Sequence, residues 1–590
     1  MTINNYYLQE LGSLRKLGEE FALKNPGLSP YLSKEGQDPD VERMIEGFSF
    51  LTGRLRQQLD EELPEVSHNL AQLLWPNYVR PVPSYSVVAY EALRDQRAPE
   101  VVQRGSEVLS EMTKDGEQYK FRTCYDTTIH PIELSQSRYY VHGNKGQLEL
   151  DFVMSCKGSL DLCLFDSLRV YLNGSRFVSN ELYLYLLEYV EKIEIEILDY
   201  KEEPLQTLQI PNRSITPVGF KVNERMVPYP QNIFDGYVVL QEYFSFEQKY
   251  LFIDINHLDA ILGVEKDVLE QSRQFRMRFH FSKRLVSAQT LSKENFALYC
   301  TPIINLFEVD AIPIRKTSLQ EEYLLSASEY EREASEVFLV EGVRGWIPSK
   351  NVYEDFLPFE SFGYGDHDEY YSLRIKLSDD GERTHSYIRF ASAEGMYEKN
   401  DYANATVSVK LLCTNRSLPS ALQLGQINVS NPHSNVAHLK FKNITIPTES
   451  YPPPIGKDFL WRVISNMSLN YLSLTDIKTL GSILSTYDFP GAHDLKLKNK
   501  NALMLKGLVS ISHDKTEMIY EGFPIRGIHT RLEIDVAKFT GIGEAYLLCC
   551  VLNEFFALYC NINSFHRLEV KMIDHDTFKW QPKMGYQPLM

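Results

Sequence analysis

From about residue 84 onward the apolar residues recur at every second position, and that period restricts this part of the chain to sheets. LELDFVM places Leu148, Leu150 and Phe152 on one face, and KIEIEIL does the same with Ile193, Ile195 and Ile197. FRMRFHF sets Phe275, Met277, Phe279 and Phe281 against Arg276, Arg278 and His280. Successive side chains of a strand point to opposite faces, so each run is a half-buried strand with one solvated face. The segment LDAILGVEKDVLEQSRQ between the last two runs reads as a helix.

The first eighty-odd residues follow the other period. In NYYLQELGSLRKLGEEFALKNPG, Tyr7, Leu11, Leu14, Leu17 and Phe21 recur at helical spacing, and Asn25, Pro26 and Gly27 stop the run. A second helix starts with Asp38 as its cap and Pro39 in its first turn, and Val41, Ile45, Phe48, Leu51, Leu55 and Leu59 form its stripe. A third, PEVSHNLAQLLW, ends before Pro76, and PNYVRPVPS breaks helix and reads as a linker.

Further along, SEVFLVEGVRGW reads as a strand, and turn formers follow it near residue 348. The strands VSVKLL and HLKFKNITI, a helix DFLWRVISNMSLNYLSL, the strand RLEIDV, an apolar helix around 543 to 560 and the strand RLEVKMI complete the chain. The expectation is an α+β fold: an N-terminal helical region over 1–83, a mainly antiparallel α+β domain over 84–345, and a second α+β domain over 346–590.

A chain of 590 residues with 43% apolar content can bury a large core spread over roughly two to four domains. Its net charge of −18 argues against nucleic acid or an anionic membrane surface as the main partner. The start, MTINNYYLQEL, lacks a positive patch followed by an apolar core, so no secretory signal is expected. AYLLCCVLNEFFALYC is too short for a membrane span and carries Asn553 and Glu554 in its middle. The chain therefore reads as cytoplasmic and not inserted in a membrane. Eight scattered cysteines with no C-x-x-C pair fit a reduced compartment, and thirty-six tyrosines suit either protein interfaces or sheet linings.

A search for chemistry finds little. In LLCTNRSLPSAL, Arg416 follows Cys413 too closely to close a phosphate loop, so a strand running into a turn is the expectation. Walker, zincin and hydrolase-elbow motifs are absent from the sequence. His-Asp neighbours occur at 367–368, 493–494, 513–514 and 574–576, but adjacent residues on a strand face opposite ways and rarely share an ion. Cys549, Cys550 and Cys560 have apolar flanks that favour inert thiols. The basic face of FRMRFHF can hold an anion or an acidic partner, although cross-strand ion pairs account for it more simply. No cofactor, metal or catalytic residue is expected. One enzymatic or ligand-binding alternative rests on the aromatic loop 353–371, where Tyr364, Asp366, His367 and Asp368 cluster.

The chemically idle stretches carry a resemblance. YYLQELGSLRKLGEEFA, DPDVERMIEGFSFLTGRLRQQLDEELPE, LLWPNYVRPVPS, LQEYFSFEQKYLFIDI, LYCTPIINLFEVDAIPI, LLCTNRSLPSAL, WRVISNMSLNYLSL and NEFFALYCNINSFHRLEV resemble, in order, the landmarks of the type VI secretion baseplate family TssF, also called VasA or ImpG. One departure is visible: Phe-Glu-Gln-Lys stands at 246–249 where the family is expected to carry Phe-Pro-Glu-Lys. The resemblance implies a structural wedge subunit, not an enzyme. It also implies two copies of the chain per TssG, links to TssK and TssE, six wedges around the VgrG spike, and docking at the inner-membrane complex through other baseplate subunits. Amphipathic N-terminal helices suit an intersubunit bundle, for which Tyr6, Tyr7, Leu11, Leu14 and Phe21 are the candidates. The same residues could instead cover their own domain's core.

Overall fold

In the computed structural model the alternating runs pair as their period requires. Gln274–Phe281 is hydrogen-bonded to Lys145–Met154 on one side and to Val190–Leu198 on the other. The structure describes residues 7–8, 10–17, 40–41, 43–54, 71–72 and 75–585, except for 95, 97, 115, 163–164, 230–234, 318–319, 332, 360–368, 379–382, 393–404, 433–436, 455–475, 559 and 561–562. The helix expected over DFLWRVISNMSLNYLSL and the residues Tyr364, Asp366, His367 and Asp368 lie outside them. The chain divides into two units: one comprises residues 1–81, 308–413 and 452–465, the other residues 82–307, 414–451 and 466–590.

In the larger unit, Pro204–Ile210, Val190–Leu198, Gln274–Phe281, Lys145–Met154 and Ile132–His142 form an antiparallel sheet in that order. Phe275, Met277, Phe279 and Phe281 are completely buried on its apolar face, together with Ile193, Ile195 and Ile197. A six-stranded sheet includes Lys120–Thr123, Cys300–Ile304, Tyr85–Tyr90 and Phe441–Asn443 as neighbours, and a four-stranded one is centred on Phe252–Ile255 and Leu168–Leu172. LDAILGVEKDVLEQSRQ forms two short helical pieces, Leu258–Gly263 and Lys266–Gln271, instead of the single helix expected. The break falls just after Gly263, a residue type that weakens a helix.

The helix Ile542–Leu558 is apolar all round, and every residue from Ala545 to Leu552 is buried. It packs on Arg176–Glu188, on Asp235–Ser245 and on the strand Phe565–Met572. That strand runs parallel to Phe523–Ile534, which forms a long hairpin with Leu508–Tyr520.

In the smaller unit, the sheet order is Phe307–Asp310, Thr406–Thr414, Glu336–Ile347, Val352–Pro358, Glu369–Leu377, Thr384–Ser392 and Glu322–Leu324. The sheet closes on itself. Ala311 N–H donates to the Val409 carbonyl at 2.8 Å, while Ile312 N–H donates to Ser326 and Ser328 N–H to Asp310, both at 2.9 Å. The fold is α+β, mainly antiparallel, with the helices interspersed.

Close backbone approach fixes one helix crossing. A Cβ at Gly543 would lie 2.2 Å from the Asn180 carbonyl oxygen and 2.7 Å from the Glu181 nitrogen, and neither backbone atom can swing away. Gly543→Ala is therefore expected to lower stability by roughly 1–3 kcal/mol. Gly481→Ala, inside Ile477–Thr486 with nothing within 4 Å of its Cβ position, should raise stability by about 0.5–1 kcal/mol. Urea unfolding of the two variants checks both signs.

Candidate interaction surfaces

Among the described residues of the smaller unit, large apolar side chains are exposed on the N-terminal helical segments and also at Tyr353 and Phe359. On the helical segment 43–54, Met44, Phe48 and Leu51 recur at i, i+4 and i+7 and are 75%, 57% and 60% exposed. The same segment buries its small residues: Ser49 is fully covered and bonds the Ile45 carbonyl at 2.6 Å, and Gly53 is buried beside it. On the preceding helical segment Leu11 is buried, Tyr7 and Leu14 are half-buried, and Leu8 and Leu17 are exposed. Tyr6 and Phe21 lie outside the described residues. Sequence periodicity located the stripe that includes Phe48 and Leu51. It could not tell that Ile45 turns partly inward while Met44 stays out.

The proline-rich segment expected as a linker does hold the boundary between the two units, after Pro81, and its first residues are also anchored in a core. Trp75, Tyr78 and Val79 are buried, and Arg80 bonds Asn77 and lies over the Phe338 ring at 5.4 Å. Prolines stop the helix, but the bulky residues between them find a core.

LLCTNRSLPSAL also forms a structural element. Cys413 is fully buried at the end of the strand Thr406–Thr414, and Arg416 takes a left-handed φ of 54° with its N–H on Thr414 Oγ1 at 2.9 Å. Asn415 and Asn305 bond reciprocally: Asn415 N–H donates to Asn305 Oδ1 at 2.7 Å, and Asn305 Nδ2 donates to Asn415 Oδ1 at 2.9 Å. The thiol is thus packed as a small apolar group and the arginine occupies a turn position.

The basic face of FRMRFHF is neutralised by the strands beside it. Arg276 Nε reaches Asp151 at 2.6 Å, Arg278 bonds Glu149 at 2.8 Å and Glu196 at 2.5 Å, and His280 Nε2 meets Glu194 at 2.9 Å. Arg138 adds a second cation on Asp151. Registered opposite charges satisfy one another across the sheet, which leaves no standing attraction for an external anion.

Two further ionic groups, hidden in helices and turns, were missed by sequence reasoning. Lys249 pairs with Glu242, both side chains being 1% exposed, and Glu242 also accepts the Met226 and Val227 N–H groups at 2.8 and 3.3 Å. Arg176 bridges Glu247 and Glu544, and Asn180 donates to Glu247 at 3.2 Å. Glu242, Glu247 and Lys249 all come from LQEYFSFEQKYLF, so the Phe-Glu-Gln-Lys departure keeps the lysine and gives its Glu247 an ionic partner. Burial nevertheless pushes the Glu247 carboxyl up, against the pull of Arg176. The signal available in the sequence was a Glu and a Lys seven residues apart in a run rich in aromatic residues.

The sequence matches the family described as Type VI secretion system, TssF, over residues 1–587. The chain belongs to the TssF family. A curated relative, Type VI secretion system component TssF1 of Pseudomonas aeruginosa, is 26% identical over 633 aligned positions, which span 99% of this chain and 98% of the relative. A chain of the cryo-electron microscopy structure of the TssK-TssF-TssG baseplate subcomplex superposes with a TM-score of 0.75 at 25% identity, covering 92% of this chain and 99% of that one. A chain of the type VI secretion baseplate complex shares the fold at a TM-score of 0.63 and 23% identity, with 100% of both chains covered. The protein is a structural subunit of the type VI secretion baseplate.

Among the described residues of this TssF chain the cysteines are buried. Burial pushes the Cys550, Cys560 and Cys124 thiols up to about 12, so at neutral pH they stay protonated. Among the described residues no group of three or more His, Cys, Asp or Glu could hold a metal ion. The His-Asp neighbours in view serve separate ends. Asp494 caps Leu495–Lys506, Asp514 bonds Arg531 at 2.5 Å, and Asp576 accepts from Tyr189 at 2.6 Å and pairs with Lys283. His513 Nδ1 and His566 Nε2 both meet Thr530 Oγ1 at 2.8 Å. No described helix is long and apolar enough to cross a membrane.

Two outcomes are expected. Lys249→Met strands Glu242 as a buried charge and should cost about 3–5 kcal/mol, whereas Lys249→Met with Glu242→Gln should recover much of that loss because the amide oxygen still accepts the two N–H groups. Chemical denaturation of the single and double variants measures the difference. Burial lowers His566 to about 3, with His513 and His529 acting in the same direction. The folded chain thus keeps the ring neutral, while the unfolded chain binds its proton near pH 6.5. Stability from this residue is complete above pH 6.5 and is lost as pH falls toward 3, by roughly 2 kcal/mol at pH 5. His566→Phe should flatten the dependence of Tm on pH between 6.5 and 4.

Proposed function

We propose that this chain is a wedge subunit that works by assembly and not by turnover, with its N-terminal helices forming the contact to TssG. The observation that carries this reading is the stripe Met44, Phe48 and Leu51, held on the outside of a helical segment that buries serine and glycine instead. A lone chain gains nothing from exposing three large apolar side chains at helical spacing, whereas a helical partner would cover them. Tyr7 and Leu14, half-buried, flank the contact in this reading and Leu11 supports it from inside its own unit, and Tyr6 and Phe21, outside the described residues, contribute to the same contact. In this reading two copies share one TssG, TssK and TssE attach to the wedge, and six wedges surround the VgrG spike. The assembly stays in the bacterial cytoplasm and reaches the inner-membrane complex through the other baseplate subunits. The baseplate subcomplex whose chain superposes on this one contains TssK, TssF and TssG, which supports TssG and TssK as partners.

The test is the absolute mass of the chain co-expressed with TssG, by light scattering on a sizing column. A particle with two copies per TssG is expected. Phe48→Asp with Leu51→Asp should abolish co-purification and leave the unfolding free energy within about 0.5 kcal/mol of wild type, since both residues are exposed. Retention of TssG by that variant would remove the helical stripe from the interface.

A further inference from the structure

The hairpin Leu508–Tyr520 and Phe523–Ile534 outruns its own sheet. The third strand, Phe565–Met572, begins at the level of Gly527, so residues 517–526 continue as a two-stranded ribbon, touched at its base where Ser564 Oγ donates to the Arg526 carbonyl at 2.8 Å. Its turn, Glu521-Gly522, has φ of 49° and 86°, the type I′ geometry that suits a two-residue hairpin. One ribbon face carries Met518, Ile525, Tyr520 and Phe523, the last 72% exposed, and the other carries Ile519, 79% exposed, beside the Glu517–Arg526 ion pair at 3.0 Å.

The two edges of the ribbon differ. In this turn type the flanking pair, Tyr520 and Phe523, is hydrogen-bonded, so the alternate residues Ile519 and Pro524 turn their backbone groups outward. Pro524 has no N–H to offer, and that edge is closed to a further strand. Along the opposite edge Ile519, Glu517, Lys515 and His513 face outward, with no proline, glycine or bulge between Ser510 and Tyr520. Among the described residues no other strand pairs with Leu508–Tyr520 on this side.

We propose that this edge pairs with the same edge of a second copy of the chain, antiparallel, about a two-fold axis at Thr516. Residues facing one another in an antiparallel pair must both turn outward or both turn inward, so the permitted axes pass through a residue. An axis at Lys515 or Asp514 sets like charges face to face. The axis at Thr516 sets Lys515 against Glu517 of the other copy, twice, with Thr516 against its own counterpart. Both charged residues are exposed, and Glu517 keeps only an exposed pair with Arg526 in the lone chain. In this register the charge pattern is complementary to itself. This contact rests on the chain being a subunit present in more than one copy, and it is separate from the helical stripe assigned to TssG.

The experiment is sedimentation of the full-length chain over a concentration series, for wild type, Lys515→Glu, Glu517→Lys and an equimolar mixture of the two variants. Wild type should self-associate. Each variant alone places like charges together at both contacts and should weaken association about tenfold or more. In the mixture every 515–517 contact is again Glu against Lys, and association should return as a heterodimer, which differently tagged chains reveal. A monomeric wild type, variants that associate as wild type does, or a mixture that fails to recover would each overturn the pairing. TssG capture should be unchanged in both variants. Loss of capture from Phe48→Asp/Leu51→Asp, or its absence in wild type, bears on the wedge reading alone.

Discussion

A helix with no polar side has to be covered on every side, and Ile542–Leu558 imposes that requirement on the larger unit. Its residues from Ala545 to Leu552 are all buried, which draws Arg176–Glu188, Asp235–Ser245 and a strand of the C-terminal sheet against it. Those covering helices are amphipathic chains brought into a dry place, so their polar residues go under as well. Glu181 accepts the Val286 and Ser287 N–H groups at 2.7 and 3.0 Å, Glu242 takes Lys249, and Glu247 shares Arg176 with Glu544. Buried carboxylates must be bonded or neutralised, and each of these is. The ionic groups near this helix are thus a consequence of its apolarity, and none of them is free to bind a ligand.

The same logic explains what a linear reading could and could not see. The strand FRMRFHF was legible because its period of two is a local property, and its apolar face is buried to the last residue. Its charged face was legible only as a choice between an anion site and ion pairs, because the registers Arg276–Asp151 and Arg278–Glu149 are set by a strand more than a hundred residues away. The apolar helix was plain from composition alone. The buried pair of Lys249 and Glu242 was not, since a lysine followed by Tyr-Leu-Phe looks the same whether its ammonium reaches water or a carboxylate. Prolines at 76, 81 and 83 end the helix and bracket the boundary between the two units, but they do not show that the residues just before that boundary are buried. Trp75 and Tyr78 decide the matter through burial, a tertiary fact. Closure of the smaller unit's sheet depends on three hydrogen bonds around Ala311, for which the sequence offers only a short alternating run.

At the N-terminal helices periodicity was legible but orientation was not. A helical stripe announces that something covers it, without saying whether the cover is the chain's own core. The structure treats the two stripes differently: Leu11 of the first turns inward, whereas Phe48 and Leu51 of the second remain outside. Small residues at the buried positions, Ser49 and Gly53, allow close packing on that side and leave the larger side chains for another surface.

Charge adds a constraint that bears on how such subunits can meet. Residues 308–413 hold 21 acidic and 11 basic residues, a net charge of −10 out of −18 for the whole chain. Copies of an acidic protein repel one another at separations up to about the Debye length, roughly 8 Å in physiological salt, and attract only through contacts shorter than that. Contacts between copies must then be local and specific in geometry. Backbone hydrogen bonds along a strand edge meet that condition, and so does a pair of opposite charges placed two residues apart, since the sum of charges over Lys515 and Glu517 is zero and adds nothing to the long-range repulsion. An apolar helical stripe meets it as well, because burial of apolar area is insensitive to the sign of the distant field. The two surfaces proposed as contacts are therefore close to neutral or apolar.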